Sequence, residues 1–264
     1  MAFLQIHFFS DVLNVASTAF VILPEANQGI GIHAAGNSDL PKVLYLLHGY
    51  SDDHTIWLRR ISEERYAAAR NLAVIMPAVN HSFYCNEIHG ERYWDYVSEE
   101  LPRVMRQFLQ ISVQPEDTFV AGLSMGGYGA MRLALTYPER FAAAASFSGA
   151  VDIAGIAHRH TADGTWNRIF GETAGPAGTE ADLFSLMKKN AKAPQRPRLY
   201  VSCGTGDFLY EAHKKFVPAL IENGWDVTRY DEPEAVHEWG FWDREIEKFI
   251  GSLGTDVRPG RKQL

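Results

Sequence analysis

Eight short apolar runs, each closed by glycine, proline or acidic turn residues, mark out this chain: FLQIHFF, NVASTAFVILP, KVLYLLHG, LAVIMPAV, DTFVAGLS, AAAASFSG, RLYVSCGTGD and DVTRYDEP. Runs of this length, rich in β-branched and aromatic residues, read as strands. From the third onward they alternate with stretches of helical apolar spacing at 57–70, 93–110, 125–137, 208–223 and 238–252. Two parallel strands cannot be joined by a tight turn, so a helix between successive strands implies a crossover and a mostly parallel sheet covered on both faces. The first two runs have little between them and suit an antiparallel start. The expectation is an α/β class chain built on an eight-stranded, mostly parallel sheet. With 264 residues, 46% of them hydrophobic, one large core can be filled, and a single domain is placed at 1–253.

One segment breaks the alternation. Residues 151–192 are glycine-rich, carry only short helical patches, and fall between the sixth and seventh strands. An excursion of that length commonly covers a site, and it is read as a lid-like insertion. The polar end GTDVRPGRKQL, residues 254–264, reads as a flexible tail. The first residues lack a basic stretch followed by an unbroken apolar run, so they read as mature protein. No run nears the 18 or so apolar residues needed to span a bilayer. A cytoplasmic chain with no membrane partner is expected. The formal net charge of −7 disfavours a phosphate-binding face, which excludes nucleic acid as a partner. Cys85 and Cys203 are too few for a disulfide framework. Self-association into a homo-oligomer is left open.

The stretch Gly122-Leu123-Ser124-Met125-Gly126 fits G-x-S-x-G, in which a strand turns sharply into a helix with the serine at a strained corner. The five-residue pattern alone recurs by chance in roughly one chain in ten of this length, so its context carries the weight. DTFVA reads as a strand, and Ala130, Leu133, Ala134 and Tyr137 mark a helical face that stops at Pro138. Two other readings exist: a glycine-rich turn with an incidental serine, and a dinucleotide loop. The second fails because Gly127-x-Gly129 is followed by Arg132 where a third glycine belongs.

A serine hydroxyl needs a base, and the base needs an anion to orient it. Asp207 follows the seventh strand and His237 follows the eighth, both at the carboxyl edge where Ser124 sits. Asp231 competes for the acid role. Acyl transfer also needs two N–H donors for the developing oxyanion. Met125, after the serine, offers one, and the backbone of Tyr50 in LLHGYSDD offers the other. His48 is read as support for that loop, its rival role being a base or ligand. Trp57, Tyr84 and Trp94 are candidate walls of a substrate pocket. Metal readings do poorly, since HEWGF lacks a second histidine and HRH at 158–160 has no evident partners.

Taken together, YLLHGYSDDHTIWLRR, MPAVNHSFY, YWDYVSEELPRV, DTFVAGLSMGGYGAMRLAL, CGTGDFLY and HEWGFWDREIEKFI resemble the tributyrin esterase family. That family lies in the esterase D and S-formylglutathione hydrolase branch of the α/β-hydrolases, which also holds feruloyl and acetyl-carbohydrate esterases. The resemblance implies an α/β-hydrolase fold and a cofactor-free serine carboxylesterase acting on short-chain acyl esters. Its triad maps to Ser124, Asp207 and His237, and its oxyanion donors to Tyr50 and Met125. Gly206 departs from the acidic residue expected before the triad acid, and the insertion also diverges. The rival readings are an S-formylglutathione thioesterase or a carbohydrate esterase using the same triad, and a hydrolase-fold module that only binds.

Overall fold

The computed structural model describes residues 1–25, 39–159, 164–172 and 175–253, with the side chains of residues 158 and 159 left aside. The expected tail at 254–264, and parts of the 151–192 insertion, lie outside the described residues.

Eight strands form one sheet: β1 (Ala2–Ser10), β2 (Val15–Leu23), β3 (Lys42–Leu47), β4 (Leu72–Pro77), β5 (Thr118–Leu123), β6 (Ala143–Phe147), β7 (Arg198–Gly204) and β8 (Val227–Glu232). Their order is β1-β2-β4-β3-β5-β6-β7-β8. The β1–β2 and β2–β4 pairs are antiparallel and the remaining pairs parallel. All eight expected strands are present, and so is the antiparallel start.

Side chains along the inner strands alternate between two cores, as the two-residue period of a strand requires. Val43, Tyr45, Leu47, Val120, Ala144 and Val201 face one core. It is closed by helices α3 (Tyr93–Asp95), α4 (Leu101–Phe108), α5 (Met125–Thr136), α8 (Leu183–Lys189) and α9 (Tyr210–Glu222). Leu44, Leu46, Phe119, Ala121 and Phe147 face the other, under α1 (Ile56–Arg60), α2 (Glu63–Ala68) and α10 (Trp239–Ser252). Trp57, Phe147, Phe241 and Phe249 are fully buried there, each worth roughly 1.5–3 kcal/mol relative to exposure. The outer strand β8 carries Arg229, Tyr230 and Asp231, a charged edge that discourages pairing with another chain.

Two helices depart from the sequence expectation. The stretch expected as one helix at 57–70 breaks at Ile61, whose backbone is extended, so that α2 restarts with Glu63 and Glu64 in its first turn. The stretch at 93–110 passes through a π-helical segment, Tyr96–Glu100, before α4. Pro102 explains the second case. It has no N–H to offer the carbonyl of Ser98 four residues back, and its ring crowds that oxygen. The Ser98 carbonyl instead accepts from Arg140 Nη1 at 3.1 Å. Between β6 and β7 run α6 (Ile153–Arg159), α7 (Thr165–Phe170) and α8. Among the described residues no helix is long and apolar enough to cross a membrane.

Candidate active site

A single residue, Ser124, separates the end of β5 from the start of α5. Its backbone sits at φ 53°, ψ −118°, a conformation that costs about 1–3 kcal/mol outside glycine. Main-chain bonds on three sides hold it there. Ser124 N–H donates to Phe147 O at 3.0 Å, and its carbonyl accepts from Tyr128 N–H at 3.1 Å and Ala150 N–H at 3.0 Å. The flanking glycines are steric necessities. A Cβ at Gly122 would stand 2.4 Å from the Gly126 carbonyl carbon, and one at Gly126 would stand 2.3 Å from Leu47 O. Close packing of α5 onto β5 and β3 therefore forces glycine at both positions and presents the serine, partly exposed, at the sheet's carboxyl edge.

The acid and base meet at that edge. Asp207, past β7, accepts at Oδ2 from His237 Nδ1 at 2.8 Å and at Oδ1 from Leu209 N–H at 2.8 Å. Burial works to raise the Asp207 pKa, but the hydrogen bond and charge of His237, with the Leu209 N–H, outweigh it and leave the carboxyl below its ordinary value. The carboxylate fixes the neutral imidazole with its proton on Nδ1, leaving Nε2 as the acceptor. The ring lies between Phe208, 4.6 Å away, and Trp242, 4.8 Å away and edge-on, and the side chain keeps 20% exposure. Asp231, the competing acid, is committed elsewhere: it accepts from His213 Nε2 at 2.8 Å, Tyr210 Oη at 3.0 Å, and Arg229. Among the described residues the Ser124 hydroxyl makes no hydrogen bond, so the serine–histidine contact is open, a common state without substrate.

The loop after β3 is held by its histidine. Buried His48 donates from Nδ1 to Gly49 O at 2.8 Å and accepts at Nε2 from Val79 N–H at 3.2 Å. Burial lowers its pKa to about 4, against a weaker opposing pull from the Gly49 carbonyl. With both nitrogens occupied and no charge, His48 is a strut and not a base. Tyr50 stacks on His81 at 4.3 Å and shares a hydrogen bond with Thr165 Oγ1 of α7 at 2.9 Å. Among the described residues neither the Tyr50 N–H nor the Met125 N–H has a protein acceptor, which leaves both available to an anion.

The three candidate wall residues are placed in the packed interior. Trp57 has no exposed surface, donates from Nε1 to Leu47 O at 3.0 Å, and meets Trp239 edge-on at 5.2 Å. Tyr84 is also fully buried and donates its hydroxyl to His48 O at 2.9 Å. Trp94 lies under the Arg132 guanidinium, 3.9 Å from its ring centroid, and stacks on Tyr137. Aromatic density in a sequence marks core as readily as pocket, and here the core took these rings. Three residues outside that trio adjoin the triad candidates. Phe208, 75% exposed, covers one face of His237. Ser148, at φ 46° after β6, sets its buried hydroxyl near enough to Asp207 to lower that carboxyl's pKa, though outside hydrogen-bond geometry. Asp52, beside Gly49, faces His237 electrostatically. Their signal was position alone, since each follows a strand end or adjoins a triad candidate.

The insertion is docked over this edge by α7. Ile88 N–H donates to Ile169 O at 3.1 Å, His89 N–H to Arg168 O at 2.9 Å, and Arg168 pairs with Glu87 at 2.7 Å. Trp166 packs 4.7 Å from Phe83. The HRH motif lies outside the described residues: residue 160 entirely, residues 158 and 159 in their side chains.

Comparison with known proteins agrees with the fold. The family model described as "Putative esterase" matches residues 10–248. An acetyl esterase from Caldicellulosiruptor saccharolyticus is 32% identical over 255 residues, covering 93% of this chain and 96% of that protein. Among solved structures, the substrate-bound fluorophosphonate-binding serine hydrolase FphF of Staphylococcus aureus superposes with a TM-score of 0.87 at 34% identity, over 97% of this chain and 99% of its own. The S-formylglutathione hydrolase FrmB of Staphylococcus aureus does so with a TM-score of 0.83 at 34% identity, over 96% and 98%. The helix-wrapped, mainly parallel sheet is thus shared with serine hydrolases across nearly the full chain, and the protein belongs to this esterase family, on the S-formylglutathione hydrolase-like branch of the α/β-hydrolases, as a carboxylic ester hydrolase.

Proposed function

We propose that the protein hydrolyses short-chain acyl esters through an acyl-enzyme on Ser124, with His237 as base and Asp207 as its orienting anion. The observation that carries this reading is the Asp207–His237 hydrogen bond of 2.8 Å at the edge that also presents Ser124. His237 Nε2 takes the proton from Ser124 Oγ as Oγ bonds to the acyl carbon. The backbone N–H groups of Tyr50 and Met125 hold the oxyanion. When the tetrahedral species collapses, the carbon–alkoxy bond breaks and His237 returns the proton to the departing alcohol. Water, deprotonated by the same nitrogen, then attacks the acyl carbon, and the Ser124 ester bond breaks as His237 returns the proton to Ser124 Oγ, releasing the acid. No step needs a cofactor. The acetyl esterase relative supports a small acyl group.

The test is Ser124→Ala on p-nitrophenyl acetate and butyrate, where turnover should fall by on the order of 10⁶. Retention of most activity would remove the serine from the mechanism. A thioesterase acting on S-formylglutathione is the second reading, favoured by the likeness to FrmB. Parallel kcat/KM measurements on that thioester and on tributyrin separate the two.

A further inference from the structure

A hollow of about 690 Å³ opens at the amino edge of the sheet, away from the triad candidates, a volume within the range of small-molecule sites. Thr118, the first residue of β5, lines it, whereas Ser124 follows the last residue of the same strand. Six residues at about 3.3 Å each put the two roughly 20 Å apart. One wall is the π-helical segment that Pro102 imposes, contributing Val97, Ser98, Glu99 and Glu100. Segments of that kind lose regular hydrogen bonding and are frequent at functional sites.

The polar groups of the hollow divide into those already matched and those left over. Glu99 pairs with Arg140 at 2.9 Å, and Glu139, also on the lining, lies 3.9 Å from the same guanidinium. Glu100 accepts from Ser10 Oγ and from the N–H of Asp11 at 2.8 Å, with Arg103 at 3.8 Å. The donors left over include three on or beside the π-helical wall and β3. The Ser98 hydroxyl is buried, its residue 3% exposed, with no partner. The Tyr45 hydroxyl, on a residue 5% exposed, has no hydrogen bond among the described residues. The Arg106 guanidinium has no carboxylate partner among the described residues, yet is close enough to Tyr45 to oppose the burial that raises that phenol to about 12. A buried donor such as the Ser98 hydroxyl is costly without an acceptor, and the exposed Arg106 guanidinium on the same lining favours an acceptor that is an anion.

We propose that this hollow is a second, non-catalytic binding site for a small organic carboxylate, its head on Arg106 and the hydroxyls of Tyr45 and Ser98, its apolar body against Val97, Leu133 and Phe141. The lining charges balance, with Glu99, Glu100 and Glu139 against Arg103, Arg106 and Arg140, and of these cations Arg106 has no carboxylate partner among the described residues, which favours a monoanion over a dianion. One uncommitted cation with two neutral donors matches a carboxylate, whereas a phosphate dianion would need a second, and Arg103 and Arg140 are already facing carboxylates.

The experiment is calorimetric titration of benzoate into Ser124→Ala protein at low ionic strength, with benzamide and phenyl phosphate as comparison ligands. Saturable benzoate binding is expected, with benzamide at least about 10-fold weaker for want of the charge-assisted bond. Arg106→Gln, an exposed helix position, should weaken benzoate by about 10-fold or more, and Tyr45→Phe with Ser98→Ala by several-fold. In the otherwise unaltered enzyme, Arg106→Gln should leave ester hydrolysis unchanged. Absence of saturable benzoate binding, equal affinity in the Arg106→Gln protein, or tighter binding of phenyl phosphate than of benzoate would each overturn the proposal. None of these outcomes bears on the triad.

Discussion

The hydroxyl of Tyr84 donates to the main-chain oxygen of His48 at 2.9 Å, a bond between two residues buried beneath the proposed oxyanion loop. Tyr84→Phe keeps the ring and removes the donor. The His48 carbonyl then loses its partner away from water, which should cost about 1–2 kcal/mol in urea denaturation. Loosening of the Gly49–Tyr50 turn should also lower kcat on p-nitrophenyl acetate, by less than the roughly 10²–10³ that follows loss of a whole oxyanion donor. Unchanged stability and unchanged kcat would show that the loop is held by other contacts.

At Gly126 the restriction is backbone against backbone. A Cβ there would stand 2.3 Å from Leu47 O, with no flexible side chain able to yield. Gly126→Ala should destabilise by roughly 1–3 kcal/mol and, by tilting α5, displace Ser124 and the Met125 N–H together. Activity should fall more than stability alone explains, which parallel thermal melts and initial rates at 25 °C would reveal.

Asp207 and Asp231 were rivals in the sequence, and their partners now separate them. Asp207→Asn leaves His237 without its orienting anion and should reduce kcat by about 10⁴. Asp231→Asn breaks contacts with His213, Tyr210 and Arg229 and should leave kcat within a few-fold. Equal losses in the two variants would refute the assignment of the acid.

Glu63 offers a pH test of stability. Its carboxyl is buried without a hydrogen-bond partner, and burial, reinforced by Asp243, raises its pKa from 4.5 to about 8. Because the folded state holds this proton more tightly than the unfolded chain, the group's contribution is full below pH 4.5 and is lost progressively up to about pH 8. The slope attributable to it is at most roughly 1.4 kcal/mol per pH unit. Glu63→Gln should abolish that slope and be more stable than the parent at pH 8.5, with the advantage shrinking at pH 5. Urea midpoints at the two values decide it, and a pH-independent difference would count against it.

Phe208 stays 75% exposed while its ring lies 4.6 Å from the His237 imidazole, where it could meet the alcohol portion of an ester held by the triad candidates. Phe208→Ala should raise KM for phenyl acetate about 3–10-fold, the equivalent of an aromatic contact of roughly 0.5–1.5 kcal/mol, with little change for methyl acetate. A uniform rise for both esters would assign the ring to covering the imidazole alone.

Strand identity was legible in the sequence because apolar runs such as KVLYLL and TFVAGL are short, β-branched or aromatic, and closed by turn residues. The elbow was legible because its glycines answer a steric demand that repeats wherever a strand doubles back into a helix. The break at Ile61 and the π-helical segment were not, since each depends on a single local conflict that periodicity averages away. Trp57, Tyr84 and Trp94 were misplaced for a related reason. Whether a ring lines a cleft or fills a core is settled by neighbours such as Arg132 and Phe147 that are remote in the chain.

The torsion at Ser124 has a consequence for how the enzyme ages. Its unfavourable geometry persists only while Phe147 and Ala150 clasp it, so a modest fraying of the segment after β6 lets the corner relax to an ordinary angle. Warmed samples should therefore go silent towards ester while their circular dichroism still reads as native, and cooling should restore them.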